Sequence, residues 1–167
     1  MTDLQSLPVR QLLEADAETF RRVRLEALER EPLAFRASYK DEAALPLGYF
    51  RDRLASGLVF GAFSDNTLVA TAGIDALKDD PAIGVLWGVY VRHDRRGHGL
   101  AQSVIEKALE AAEARYGEIR LRVKATNAAA RAVYARLGFR IMSRETATAA
   151  DGSGHEYEWW LRSAVGR

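Results

Sequence analysis

The 167-residue chain contains no cysteine. Without cysteine it can form no disulfide bond, no thiolate metal site and no cysteine nucleophile, which agrees with a reducing compartment. The chain also has no excess of charge, because 24 Lys and Arg residues face 23 Asp and Glu residues and leave a net charge of +1. Since nucleic-acid-binding domains are usually strongly basic, we expect no nucleic-acid partner.

Long apolar runs are missing as well. The longest, residues 84–91, has eight residues, whereas a bilayer span needs about 20, so we expect no membrane partner. The first 20 residues carry five charged side chains instead of the apolar stretch of a secretory signal. We therefore expect the protein to remain in the cytoplasm. The length predicts one domain with its own core over residues 1–162 and a frayed tail at 163–167.

Turn residues and hydrophobic periodicity divide the chain into alternating elements. The first part predicts a strand at 7–13 and helices at 15–31 and about 46–55, with Ser38 capping a further helical turn. Runs rich in Val, Ile, Phe and Tyr then predict an antiparallel meander, with strands at 58–64, 67–77 and 82–91 separated by turns at 64–66 and 78–81.

The last part alternates helices and strands. A helix of about 17 residues is predicted from Leu100, because apolar residues recur at helical spacing as far as Gly117. A strand followed by a helix and another strand implies a parallel pair. The remaining predicted elements are a strand at 119–123, a helix at 127–137, strands at 139–143 and 156–161, and a flexible loop at 151–154.

The segment with the clearest chemistry is residues 89–101, where a buried strand passes through a basic glycine loop into a helix. Helix N-termini carry unpaired N–H groups and partial positive charge, and glycines allow a phosphate to approach them. Arg95 and Arg96 add full charges. A P-loop needs Lys and Ser or Thr after its last glycine, and a dinucleotide fingerprint opens the first strand–helix unit, so this loop fits neither. A plain tight turn is the simpler alternative.

Two segments of the chain each resemble a motif of the same protein family. Residues 96–101, Arg-Gly-His-Gly-Leu-Ala, match the Q/R-x-x-G-x-G/A pattern of the GNAT superfamily of acetyl-CoA-dependent N-acetyltransferases. Residues 127–139 are similar to the superfamily's N-x-x-A-x-x-x-Y-x-x-x-G-F element. Residues 25–28, 32–35 and 87–92 also resemble a common bacterial branch of it. The resemblance implies a single α/β domain of GNAT type, with a mixed, mostly antiparallel sheet of seven strands flanked by about four helices.

The resemblance also implies where the co-substrate acetyl-CoA would bind. In the superfamily the strand before the loop splays from the next parallel strand, and the pantetheine arm lies in the gap. The arm would then pair with the backbone of Val89 and Val91, and Asn127 would contact the cofactor. The pyrophosphate would meet the loop and helix N-terminus, with Arg96 as the side-chain cation. The implied phosphate contacts are Arg96, Gly97, His98, Gly99, Leu100 and Ala101.

Tyr134 is the candidate catalytic residue. It lies seven residues after Asn127, so on a helix both side chains share one face. Amine attack on a thioester expels a thiolate whose conjugate acid has a pKa near 8.5, and a phenol can donate the proton it needs. The simpler readings are that Asn127 is a helix N-cap and that Tyr134 belongs to the core.

With no cysteine to hold an acetyl group, direct transfer in a ternary complex is predicted. The base that would deprotonate the amine could be Glu42, Asp75, His155 or water. No metal site is expected, because the three histidines are dispersed along the sequence. Small molecules and peptides remain open as acceptors, as does a homodimer. A non-catalytic CoA-binding or sensing module, another acyl donor and an alcohol acceptor are the alternative functions.

Overall fold

The structure is a computed structural model that describes residues 7–149 and 152–164. Its framework is one seven-stranded sheet in the order β1-β2-β3-β4-β5-β7-β6. The elements in chain order are β1 (Val9–Gln11), α1 (Ala17–Arg30), α2 (Tyr39–Ala43), α3 (Leu47–Ser56), β2 (Leu58–Ser64), β3 (Thr67–Leu77), β4 (Asp80–Val91), α4 (Leu100–Ala112), β5 (Glu118–Lys124), α5 (Ala128–Arg136), β6 (Arg140–Thr148) and β7 (Gly154–Ser163).

The predicted fold class is confirmed. All neighbouring strands pair antiparallel except β4 and β5, which are the predicted parallel pair. The turn at 64–66 also forms as expected, with Asp65 and Asn66 at positive φ. Four of the five α-helices have nine or more residues, and α2 is a five-residue helix that Ser38 caps by accepting a hydrogen bond from the Asp41 N–H.

Two apolar clusters hold helices on opposite faces of the sheet. On one face, Phe20 of α1 and Phe50 of α3 pack with Val59, Leu68 and Tyr90. On the other face, α4 and α5 cover a larger cluster that includes Leu121, Val123 and Trp160. Burial of such side chains contributes about 25 cal/mol per Å² of apolar surface. Each face therefore has its own core, and β4 and β5 run between them.

Several predicted boundaries were wrong. β1 spans only Val9–Gln11, since Pro8 has no N–H for a strand ladder. α4 has 13 residues instead of about 17, because the chain turns at 113–115 and Tyr116 folds back into the core. β6 and β7 are longer than predicted, since they pair from Arg140 with Leu161 to Thr148 with Gly154, with one register shift between Ile141 and Ser143.

The terminal and loop predictions fall partly outside the described residues. Ser163, placed at the start of the predicted tail, is the last residue of β7, and the Ala164 N–H donates to the Gly117 carbonyl. Residues 165–167, Asp151 and the first six residues of the predicted domain lie outside the described part. No helix within residues 7–149 and 152–164 is long and apolar enough to cross a membrane.

Candidate active site

A cleft opens where β4 and β5 separate. The parallel pair is joined only between residues 83–85 and 118–120. Beyond Val85, β4 continues along β3 to Val91, while β5 continues along β7 to Lys124. The space between them forms a cleft of about 1020 Å³ that is lined from both strands, from the segment after α1, and from α3, α4 and α5. The splayed strands implied by the family resemblance are therefore present.

A β-bulge marks the point of separation in β4. Gly73 pairs with Trp87 and Thr71 with Tyr90, so Gly88 and Val89 together face the single residue Ala72. Gly88 has a φ of +63°, a conformation that favours glycine. Bulges bend a strand and redirect its polar groups, and this one lies where the cleft begins.

Beyond the bulge the backbone of β4 is directed into the cleft at alternate residues. The Thr71 hydroxyl donates to the Gly88 carbonyl, and the Arg92 N–H donates to the Val69 carbonyl. Residues 88 and 92 therefore use their backbone groups toward β3. Because pairing direction alternates along a strand, Val89 and Val91 point theirs away from β3 and toward the gap. The Val91 carbonyl there accepts from the Arg96 guanidinium at 3.0 Å, which leaves the Val91 N–H and the groups of Val89 for an extended ligand.

The glycine loop ends in a row of unpaired donors. Within the described residues, the backbone N–H groups of residues 97–102 meet no acceptor, and the first intrahelical donor is Ser103, which bonds the Gly99 carbonyl. Gly97 and Gly99 both have positive φ, and a Cβ at either would point into open space. A helix N-terminus with free donors and no side chains in the way is suited to an anion such as a phosphate.

Three arginines line this half of the cleft: Arg95, Arg96 and Arg136. The Arg96 guanidinium donates to the Val91 carbonyl at 3.0 Å and to Glu31 at 3.0 Å, so it already has a carboxylate partner. Arg95 contacts Asp94 at 3.3 Å. Both side chains remain partly exposed, and they leave the loop surrounded by positive charge.

α5 carries Asn127 and Tyr134 to the opposite wall. The Asn127 side chain caps the helix by accepting from the Ala130 N–H at 3.2 Å, and its residue also lines the cleft, so the cap reading is confirmed. Tyr134 is buried against Phe139 in an edge-to-face contact. Its hydroxyl has no hydrogen-bond partner among the described residues, and burial raises its pKa to about 12. The phenol therefore keeps its proton at neutral pH.

The structure brings together most of the residues singled out from the sequence. Those that line the cleft are Val89, Val91, Arg96, Gly97, Gly99, Leu100, Ala101, Asn127 and Tyr134. His98 lies in the same loop but does not line the cleft. Of the three residues that are base candidates, only Glu42 lines the cleft. Asp75 does not line it but lies 3.8 Å from Arg53, which does. His155 lies on β7 beside Ser153, also outside the cleft lining.

The other half of the cleft, on the side of α1 to α3, contains Glu42 and several residues that sequence reasoning missed. We name it the acceptor chamber, and its residues are Arg24, Arg36, Glu42, Arg53, Trp87, Arg122, Lys124 and Trp159. Arg24 is buried and donates to both Glu42 oxygens at 3.0 Å. A signal for Arg24 existed, because it lies on the helical stripe of Phe20 and Ala27 and not on the opposite, charged face of α1.

The model of the acetyltransferase (GNAT) family matches residues 11–139 of this chain. The chain belongs to the GNAT acetyltransferase family. The match includes the splayed strands, the glycine loop and α5. A search of curated protein sequences gives no significant match.

Solved structures of GNAT acetyltransferases share the fold at low sequence identity. A ribosomal-protein-alanine N-acetyltransferase from Brucella melitensis is 19% identical with a TM-score of 0.78, covering 94% of this chain and 99% of its own. A GNAT acetyltransferase from Streptococcus pneumoniae is 19% identical with a TM-score of 0.80, covering 95% and 99%. An acetyltransferase from Salmonella typhimurium with its cofactor acetyl-CoA is 14% identical with a TM-score of 0.79, covering 97% and 96%.

Proposed function

We propose that the protein transfers the acetyl group of acetyl-CoA directly to the nitrogen of an amine in a ternary complex. The observation that carries the proposal is the row of unpaired N–H donors at residues 97–102, which faces the same cleft as the Tyr134 hydroxyl and the free edge of β4. A pyrophosphate and a thioester on one ligand need these features together: an anion site, an extended edge and a proton donor.

The residues have separate tasks in the bound complex. The N–H groups at the start of α4, with Arg96 beside them, bind the pyrophosphate. Val89 and Val91 pair with the pantetheine arm along the edge of β4. Asn127 contacts the cofactor from α5. This arrangement leaves the thioester near the bulge at Gly88, between the loop and the acceptor chamber.

The transfer then proceeds by attack of the neutral amine on the thioester carbonyl. A C–N bond forms, and an N–H from β4 near Val89 stabilises the developing oxyanion. Collapse breaks the C–S bond, the amine nitrogen loses its proton to solvent or to a base, and Tyr134 donates a proton to the leaving thiolate. Because burial raises the pKa of the Tyr134 hydroxyl to about 12, Tyr134 keeps its proton at neutral pH until the thiolate forms.

Calorimetry and a thiol-release assay test the proposal together. We expect acetyl-CoA to bind the protein, and we expect CoA thiol to appear only when an accepted amine is added. Small amines, amino acids and peptides are screened, since the neighbour from Brucella melitensis is named as a ribosomal-protein-alanine N-acetyltransferase. Binding of acetyl-CoA without turnover of any amine would favour a CoA-binding module instead.

A further inference from the structure

The acceptor chamber is positively charged although the whole chain is nearly neutral. Five cationic side chains line it: Arg24, Arg36, Arg53, Arg122 and Lys124. Arg122 and Lys124 belong here because they alternate along β5 with Leu121 and Val123, which pack on the α4 side of the sheet. Among the described residues, three carboxylates contact these cations, those of Glu42, Asp75 and Glu145. The chamber therefore keeps an excess of positive charge.

Arg53 is the more buried of the two chamber arginines that have no carboxylate within hydrogen-bond distance, the other being the largely exposed Arg36. The guanidinium nitrogens of Arg53 lie 3.8 Å from Glu42 and 3.8 Å from Asp75, beyond the usual hydrogen-bond range of about 2.7–3.2 Å. In the described part of the chain its one hydrogen bond is a 3.5 Å donation to the Tyr49 hydroxyl. Burial, and then the neighbouring Arg24, lower the pKa of Arg53. An anionic ligand would both fill its donors and compensate its charge.

Arg53 is also fixed in position. Its guanidinium carbon lies 3.5 Å from the centre of the Trp87 ring, a cation–π contact that holds the group in place. The ring of Trp87 that Arg53 contacts belongs to the residue before Gly88. Arg24 is close to the same place, since its Nη1 lies 3.6 Å from the position that a Cβ of Gly88 would take. Both arginines are therefore close to the bulge where the thioester and the amine are proposed to meet.

The room in the cleft favours a small acceptor. Arg36, in the segment between α1 and α2, reaches Glu145 of β6 at 3.8 Å and lies 5.3 Å from the ring centre of Trp159 on β7. This contact joins the helical side of the chamber to the far end of the sheet. The whole cleft has about 1020 Å³, and the proposed cofactor takes up part of it, so the remaining space suits a compact acceptor.

We propose that the acceptor is a small primary amine that carries a carboxylate a few bonds from its nitrogen, and that Arg53 binds this carboxylate. The inference rests on the proposed N-acetyl transfer and specifies its acceptor. Phe35, Tyr49 and Tyr157 add aromatic surface to the cleft, which suits an apolar side chain on the same molecule. The surrounding cations also disfavour the ammonium form, so the bound amine loses its proton more readily than it does in water.

Matched sets of acceptors test the role of the carboxylate. Each set contains an amino acid, its amide and the corresponding decarboxylated amine, for example phenylalanine, phenylalaninamide and phenethylamine, together with peptides that begin with the same residue. We expect kcat/KM for the best amino acid to exceed that for its amide by about 10- to 100-fold, the range of a charge-assisted contact. The α-amine of the amide is less basic than that of the amino acid, so a larger fraction of it is neutral and reactive at neutral pH. This difference favours the amide and cannot produce the expected preference for the amino acid.

Variants of Arg53 connect the preference to this side chain. Arg53→Gln should lower kcat/KM for amino acids by about 10- to 100-fold, and by clearly more than it lowers kcat/KM for the decarboxylated amines. Arg53→Lys should recover part of the loss, because it restores the charge without the planar fork. Arg51→Gln is the matched control, since Arg51 lies on the same helix, is exposed and does not line the cleft. Circular dichroism confirms that each variant is folded.

Direct binding separates this inference from the proposed function. Calorimetry of amino acids against the CoA-loaded protein should show binding that Arg53→Gln abolishes. Binding without turnover would contradict N-acetyl transfer and leave the carboxylate site standing. Any of three results would overturn the carboxylate site, whether or not other amines are acetylated. They are equal use of amides, peptides and amino acids, the same loss of kcat/KM for all acceptors in Arg53→Gln, and no binding of any amino acid.

Discussion

Replacing Tyr134 with phenylalanine tests the chemical step most directly. The ring keeps its edge-to-face contact with Phe139, and the hydroxyl that is removed has no hydrogen-bond partner among the described residues. Loss of an unpaired hydroxyl changes stability by about 1 kcal/mol at most, so the variant should fold and bind acetyl-CoA like the parent. Any large effect must then come from the lost proton.

The size of the effect follows from general acid catalysis. A positioned acid contributes about 10²- to 10⁴-fold, so kcat should fall by that factor, equivalent to about 2.7–5.4 kcal/mol of transition-state stabilisation. Because burial raises the pKa of Tyr134 to about 12, the donor form persists through neutral and mildly alkaline pH. Activity of the parent should therefore not fall through loss of this proton until the pH approaches 12.

Steady-state thiol release from pH 6 to pH 10, with calorimetry for acetyl-CoA, provides the measurement. We expect the Phe variant to lose kcat across the whole range with KM for acetyl-CoA unchanged. Tyr116→Phe is a matched control, because Tyr116 is a buried tyrosine at the end of α4 that does not line the cleft. A Tyr134→Phe variant that turns over within twofold of the parent would remove Tyr134 from the mechanism.

Three further perturbations address the cofactor site, the chamber and the order of events. Gly99→Val should abolish acetyl-CoA binding in calorimetry, since a branched side chain would occupy the anion site. Gly152→Val controls for backbone strain, because Gly152 has a similar positive φ and open space around it. Unchanged acetyl-CoA affinity in a folded Gly99→Val variant would refute the site. Glu42→Gln should lower the free energy of unfolding in urea by about 3–5 kcal/mol, because it removes the carboxylate paired with buried Arg24; a change below 1 kcal/mol would show the pair to be dispensable. Initial rates with both substrates varied should give intersecting double-reciprocal lines; parallel lines with a chaseable acetyl-protein would demand a covalent intermediate.

Local features of the site were predictable from the sequence because their physics is local. The glycine loop needs positive φ at Gly97 and Gly99, and the helix that follows must begin with unpaired N–H groups wherever it is packed. The N-caps at Ser38 and Asn127 depend on residues within three positions of them. The family resemblance then supplied the splayed strands, which the pairing of β4 and β5 confirms.

The acceptor chamber could not be predicted in the same way, because its contacts join distant parts of the chain. Arg24 and Glu42 are 18 residues apart, and Arg36 reaches Glu145 only after the sheet has closed. Their charges resemble those of ordinary exposed helix and loop residues. Only the helical phase of Arg24 distinguishes it in the sequence, and even that position does not indicate which carboxylate it would pair with.

The placement of charge in the cleft explains why a near-zero net charge was a poor guide to the ligands. Eight cationic side chains line the cleft against two carboxylates, while acidic residues elsewhere balance the total to +1. An electrostatic field inside a narrow opening depends on the local groups and much less on distant ones that salt screens. One opening can therefore attract a polyphosphate cofactor to the exposed arginines beside the loop and a carboxylate to the shielded guanidinium of Arg53, with the bulge at Gly88 between them.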